Sequence, residues 1–192
     1  MNKTKFAVFF PGIGYTVDKP LMHFGRRIAS DCGYEIKLLP YEGFPAKVKG
    51  DREKMVESFK IALKQSEKML ADVYLSAYED ILFVGKSVGT IVAAKIAAES
   101  TVSDKIRLVL YTPLDDTFRF LEEDAKAIVF TGAADPWVGG AESKIPELCE
   151  KKKIPYYLIP EANHSLESAD TKQDLENLKD IMEKTKKFVL AE

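Results

Sequence analysis

Short runs of consecutive apolar residues alternate along this chain with longer stretches whose apolar residues recur every three or four positions. Phe6–Phe10 is the first run, stopped by Pro11-Gly12-Ile13-Gly14, and its unbroken apolar character suits a strand covered on both faces. Leu21–Asp31 has helical spacing, with Asp18 as a candidate N-cap ahead of Pro20 and Gly33 as the stop. Further strands are expected at Glu35–Leu39, Ile81–Val84, Ile106–Tyr111, Ala127–Thr131 and Tyr156–Ile159. Between them, a helix from about Asp51 to Ala77 carries Met55, Phe59, Ala62, Leu63, Ser66, Met69, Leu70 and Val73 on one side. Thr90–Glu99 is small and apolar nearly throughout, the mark of a buried helix. Shorter helices are expected near Asp116–Glu123 and Gly140–Lys151, and a long one from about Asp170 to Leu190.

Strands separated by helix-sized segments imply right-handed crossovers. The expected class is therefore α/β: a three-layer sandwich with a mostly parallel sheet of about six strands and helices on both faces. With no repeat or linker in sight, the 192 residues read as one domain. A chain of this size buries roughly 70% of its unfolded surface, enough for a core without disulfide or metal staples.

Composition removes several function classes. Lys+Arg total 28 against 30 Asp+Glu, for a net charge of −2, so no general field draws nucleic acid. The basic runs Lys47–Lys49 and Lys151–Lys153 have acidic neighbours and read as solvated faces. Cys32 and Cys149 are lone residues without CxxC or Cys/His spacing, which argues against a zinc site, and no cofactor is expected. The first apolar run is too short for a signal-peptide core, and nothing approaches the ~20 apolar residues of a membrane span. A cytoplasmic protein acting on a small molecule is the expectation; the oligomeric state is not legible.

In a parallel sheet the loops at the carboxyl ends of the strands hold the ligand site. The strongest candidate is Gly85-Lys86-Ser87-Val88-Gly89, a G-x-S-x-G between an apolar strand and a small-residue helix, which is the context of a nucleophile elbow. The lesser alternative is that Ser87 is merely an N-cap in a Gly-rich turn. A phosphate-binding loop is excluded because the glycine it needs is Asp80, and Gly12-Ile13-Gly14 lacks the third glycine of a dinucleotide fingerprint, Val17 standing there. A serine nucleophile needs a base and an orienting carboxylate later in the chain, and Asp135 and His164 both follow strands.

Pro11-Gly12-Ile13-Gly14, the elbow at Ser87, Gly132-x-x-Asp135-Pro136-x-Val138 and Ala162-Asn163-His164-x-Leu166, in that order, resemble the α/β-hydrolase family in its small bacterial form, over essentially the whole chain. The resemblance implies a hydrolase that attacks a carboxylic ester or thioester through Ser87, with His164 as base and Asp135 orienting it. It also implies an oxyanion hole from the Val88 N–H and one of Gly12 or Ile13. Asp115 and Asp116, after the preceding strand, are the alternative acid; Asp135 is preferred because Asp-Pro after a strand and a Gly-bearing turn matches the commoner placement. His23 reads as a helix-surface or packed histidine, or as a substrate contact. Lys86 is either solvated or beneath the site.

Two departures from larger relatives matter. The usual leading antiparallel strands are not expected, and only about fifteen residues separate the strands where a lid domain normally enters. An open, lidless site lined by Tyr15, Tyr41, Leu114, Phe118, Trp137 and Leu166 is expected, although core packing is the plainer explanation for Phe118 and Trp137. A binding protein that keeps the fold without catalysis, or an acyltransferase, are the alternative functions.

Overall fold

The computed structural model describes residues 4–191. Strands β1 (Lys5–Phe10), β2 (Glu35–Leu38), β3 (Asp80–Lys86), β4 (Ile106–Tyr111), β5 (Ala127–Gly132) and β6 (Tyr156–Ile159) form a sheet in the order β2-β1-β3-β4-β5-β6. Every neighbouring pair is parallel. The five α-helices among the described residues are α1 (Pro20–Asp31), α2 (Arg52–Leu70), α3 (Val88–Glu99), α4 (Ile145–Lys151) and α5 (Thr171–Leu190).

Strand alternation sorts the core into two layers. Phe6, Val8 and Phe10 of β1, with Ile81 and Phe83 of β3, pack towards Ala62 of α2, Val92 of α3 and Cys149 of α4. Ala7, Phe9, Leu82 and Val84 face the other way, onto Leu21, Met22 and Ala29 of α1 and Ile181 and Val189 of α5. At the amino ends of the strands, Arg107 pairs with Asp80 at 3.0 Å and donates to the Phe188 carbonyl at 2.8 Å, tying β3, β4 and the end of α5 together.

The strand order reverses at β1. The chain steps outward to β2, returns across β1 to β3, and then proceeds in one direction to β6. At such a switch point the loops after the two central strands diverge to opposite faces and leave a crevice between them. Here the flanking loops are those following β1 and β3.

Several boundaries differ from the sequence expectation. Asp51 caps α2 by accepting from the Lys54 N–H at 3.1 Å, but the helix stops at Leu70, and only a 3₁₀ turn at Leu75–Ala77 resumes the winding. The apolar spacing through Val73 persists because those residues still pack on the core from a turn. The 116–123 helix is a 3₁₀ segment, Asp115–Arg119. α4 begins at Ile145, because Pro146 fits the first turn and positive φ at Gly139 and Gly140 breaks the chain before it. Lys19, not Asp18, occupies the N-cap of α1, without a side-chain bond.

Candidate active site

The turn from β3 into α3 is sharp. Ser87 adopts φ 54° and ψ −126°, a conformation that is costly for any residue with a Cβ and is held by its surroundings. Two neighbours hold it: the Ser87 N–H donates to the Tyr111 carbonyl at 3.1 Å, and the Ser87 carbonyl accepts from the Thr90 N–H at 2.8 Å. Gly89 is required by close approach, since a Cβ there would lie 2.1 Å from the Phe10 carbonyl oxygen. The start of α3 is thereby packed directly against the end of β1, and Ser87 stands at the helix N-terminus beside the first loop.

The loops after β5 and β6 bring two further groups to this point. His164 Nε2 accepts from the Ser87 hydroxyl at 2.8 Å, and its Nδ1–H donates to Asp135 Oδ2 at 2.7 Å. Asp135 is fully buried; its other oxygen accepts the Trp137 N–H at 2.9 Å, and its carbonyl accepts the Gly140 N–H at 2.7 Å. The loop carrying His164 is laced by Asn163, whose side-chain oxygen accepts the Ser165 N–H at 2.7 Å and whose own N–H donates to the Glu167 carbonyl at 2.8 Å. Trp137 stacks on the imidazole, with ring centroids 4.9 Å apart and planes 18° apart. Three residues far apart in sequence thus form one hydrogen-bonded chain of hydroxyl, imidazole and carboxylate.

Burial lowers the proton affinity of His164 below that of an ordinary imidazole; the Asp135 bond opposes this, and the positive charge of Lys86 adds to it. A neutral imidazole at neutral pH is the form able to accept a proton from a serine hydroxyl.

The backbone donors can now be separated. The Gly12 N–H is taken by the Tyr15 carbonyl at 3.1 Å, which corrects the expectation that Gly12 could supply an oxyanion donor. Val88 is the first residue of α3, where an N–H has no partner within the helix, and among the described residues the Ile13 N–H makes no backbone bond.

The expected lining residues divide three ways. Leu114 and Trp137 share a cleft of about 600 Å³ whose opposite wall is formed by Val48, Lys49, Arg52 and Met55. Tyr15 and Leu166 are instead buried and border a smaller cavity of about 190 Å³ near Leu175 of α5. Phe118 is buried in the core, and Tyr41 packs against it with its hydroxyl bonded to Ser66 at 2.6 Å. Asp115 and Asp116 both line the cleft, and Asp116 also pairs with Arg119 at 3.0 Å. His23 sits on α1 against Arg26 and Phe24. The wall at Val48–Met55 has no sequence signature, because it is built from the loop after the edge strand β2 and the first turn of α2, with no motif of its own.

Among the described residues no group of three or more His, Cys, Asp or Glu side chains is arranged to hold a metal ion, and no helix is long and apolar enough to cross a membrane. The sheet order, the elbow and the placement of the two following loops are those of the α/β-hydrolase fold. No family model matches the chain, and no curated protein matches it by sequence. Solved structures do match in fold. An esterase from Pyrococcus furiosus superposes with a TM-score of 0.63 at 14% identity, covering 97% of this chain and 82% of that one. Dienelactone hydrolase from Anabaena variabilis gives 0.64 at 15%, covering 97% and 86%. A serine hydrolase without a lid from Xanthomonas campestris gives 0.56 at 12%, covering 99% and 84%.

Proposed function

We propose that the protein is a serine hydrolase that cleaves a carboxylic ester or thioester of a small soluble substrate through an acyl-enzyme. The observation that carries this reading is the unbroken chain of short contacts, Ser87 to His164 at 2.8 Å and His164 to Asp135 at 2.7 Å, on a strained elbow. In the first step Ser87 Oγ bonds to the acyl carbon while its proton passes to His164 Nε2. The bond to the leaving oxygen or sulfur then breaks, and His164 returns the proton to that atom. Water repeats the sequence in the second step, giving up a proton to His164 and releasing the acid and free Ser87. Asp135 stays ionised, fixing the tautomer and offsetting the imidazolium charge. The Val88 and Ile13 N–H groups serve as the oxyanion donors, each worth roughly 3–4 kcal/mol in the transition state.

The reading extends to access. The connection between β4 and β5 holds only the five-residue 3₁₀ segment Asp115–Arg119, so we take the chain as one lidless domain with the Leu114–Trp137 cleft as its acyl site. Cys32 and Cys149 are unpaired, which supports a reducing compartment such as the cytoplasm. The test is a rapid-mixing assay with p-nitrophenyl butyrate. A burst of nitrophenol equal to one per active site, absent in Ser87→Ala, is expected; no turnover by a folded protein would favour a binding role. Ester product appearing with an added alcohol in preference to free acid would favour acyl transfer.

A further inference from the structure

Lys86 is the most unusual side chain in the molecule. Strand alternation puts it on the same face as Leu82 and Val84, the face covered by α1 and α5, so a lysine occupies a core-facing position at the end of β3. It is 1% exposed. Its stem passes beneath the first loop, where a Cβ on Gly12 would meet Lys86 Cγ at 3.5 Å. Its ammonium lies over the Tyr15 ring, 4.8 Å from the centroid. The carboxylates of Asp135 and Glu167 act on it through space rather than by a hydrogen bond. A lysine is almost never fully buried unless paired, because losing its hydration costs far more than a ring face returns. An isolated core position would therefore favour leucine or methionine, and the choice of lysine calls for a role that uses its charge.

Its location supplies one. Tyr15 closes the Gly12 turn through its carbonyl and caps the start of α1 by accepting the Leu21 N–H on its hydroxyl at 3.1 Å. Asp135 is the partner of His164, and Glu167 receives the Asn163 N–H in the same loop as His164. Three of the loops that build the site thus converge on one cation. We propose that Lys86 is a positioning residue of this site, its buried ammonium bracing the Tyr15 turn and setting a positive charge beneath the loop that carries His164. This rests on the hydrolase reading above for its consequence, although its physical content does not.

The electrostatics run in the same direction. Burial pushes the Lys86 ammonium down to about 7, with Asp135 and Glu167 opposing, while burial and the Lys86 charge both lower His164. As pH falls, Lys86 takes a proton first, and its new charge resists protonation of His164. The groups facing Lys86 are Tyr15 from the β1 loop, Asp135 from the β5 loop, and Glu167 and His164 from the β6 loop; His164 also feels Lys49 across the cleft. Lys49 is exposed and Lys86 enclosed, so the less screened charge is that of Lys86.

The experiment is a proton NMR titration of the two histidines in Ser87→Ala and in Ser87→Ala/Lys86→Met, assigned with His23→Gln. The His164 midpoint is expected to rise by about half a pH unit or more in the methionine variant, with His23 unmoved. An unchanged His164 midpoint in a folded variant overturns the proposal. Should Lys86→Met fail to fold, lysine labelled with ¹³C at Cε decides the matter in the unsubstituted protein. A lysine Cε resonance that registers the His164 ionisation supports the proposal, because coupling between two charges is reciprocal, and no lysine resonance responding to it sinks it. Neither readout needs turnover, so a protein without esterase activity that still shows the His164 shift would refute the hydrolase reading alone. In an active enzyme, Lys86→Met should move the acidic limb of kcat/KM upward by the same amount.

Discussion

Gly132, the last residue of β5, tests how tightly the sheet fixes the histidine. It pairs with Ile159, and a Cβ built on it would lie 2.2 Å from the Ala162 carbonyl oxygen and 2.7 Å from that of Asn163. Both are backbone atoms immediately ahead of His164 and cannot rotate away. Clearing the shorter contact to 3.0 Å, the least separation real Cβ atoms show, needs a shift of about 0.8 Å. Passed on to His164, that shift would stretch its 2.8 Å contact with Ser87 past hydrogen-bond length. Misplacement of this order costs about 10²-fold in rate, and overpacking costs about 1–3 kcal/mol of stability. Gly132→Ala should therefore remain folded with a lowered melting temperature, and lose about two orders of magnitude in kcat/KM for p-nitrophenyl butyrate. Gly25→Ala is the control. Its Cβ would meet nothing closer than the Tyr111 hydroxyl at 3.5 Å, and alanine suits a helix interior, so activity should be unchanged. A folded Gly132→Ala enzyme within about threefold of the parent would refute the idea that the β5–β6 contact sets the geometry.

Other outcomes follow from the same geometry. Asp135→Asn should cost about 10⁴-fold in kcat by offering the imidazole the wrong partner, while Asp115→Asn and Asp116→Asn stay within about tenfold; steady-state kinetics of the three decide which carboxylate is the acid. The pH profile of kcat/KM should rise through a single ionisation whose midpoint lies below the ordinary imidazole range, because burial disfavours the charged form of His164; His23→Gln should leave that limb in place. Across a nitrophenyl ester series, kcat/KM should peak at about two to six acyl carbons, since an open cleft buries little of a longer chain and forgoes the ~0.8 kcal/mol available per CH₂. A steady gain to ten carbons would reveal a deeper pocket.

Most of the architecture was legible because a two-sided sheet writes itself as unbroken apolar runs. Phe6–Phe10 and Ile81–Val84 have no other plausible fate, and both are central strands. Helix ends were less legible: Leu70 to Val73 keep helical spacing although the chain there is a turn, since packing on the core constrains both alike. Asp135 and His164 were readable from their order after strands, which the parallel topology converts into proximity. The lining was not, because it depends on the distance between loops remote in sequence. Tyr15 looked available beside the first loop, yet its ring is buried against the Lys86 ammonium. The burial of Lys86 was present in the pattern all along, since it continues the period of Leu82 and Val84; its charge obscured it.

The central claim is that Ser87 is an activated nucleophile. Treating the protein with a fluorophosphonate and mapping the adduct by mass spectrometry tests this without knowledge of the substrate. One adduct per chain, on Ser87, forming at a rate that collapses in His164→Gln, is the predicted result. A folded protein that takes no label at Ser87, or labels as fast without His164, would contradict it.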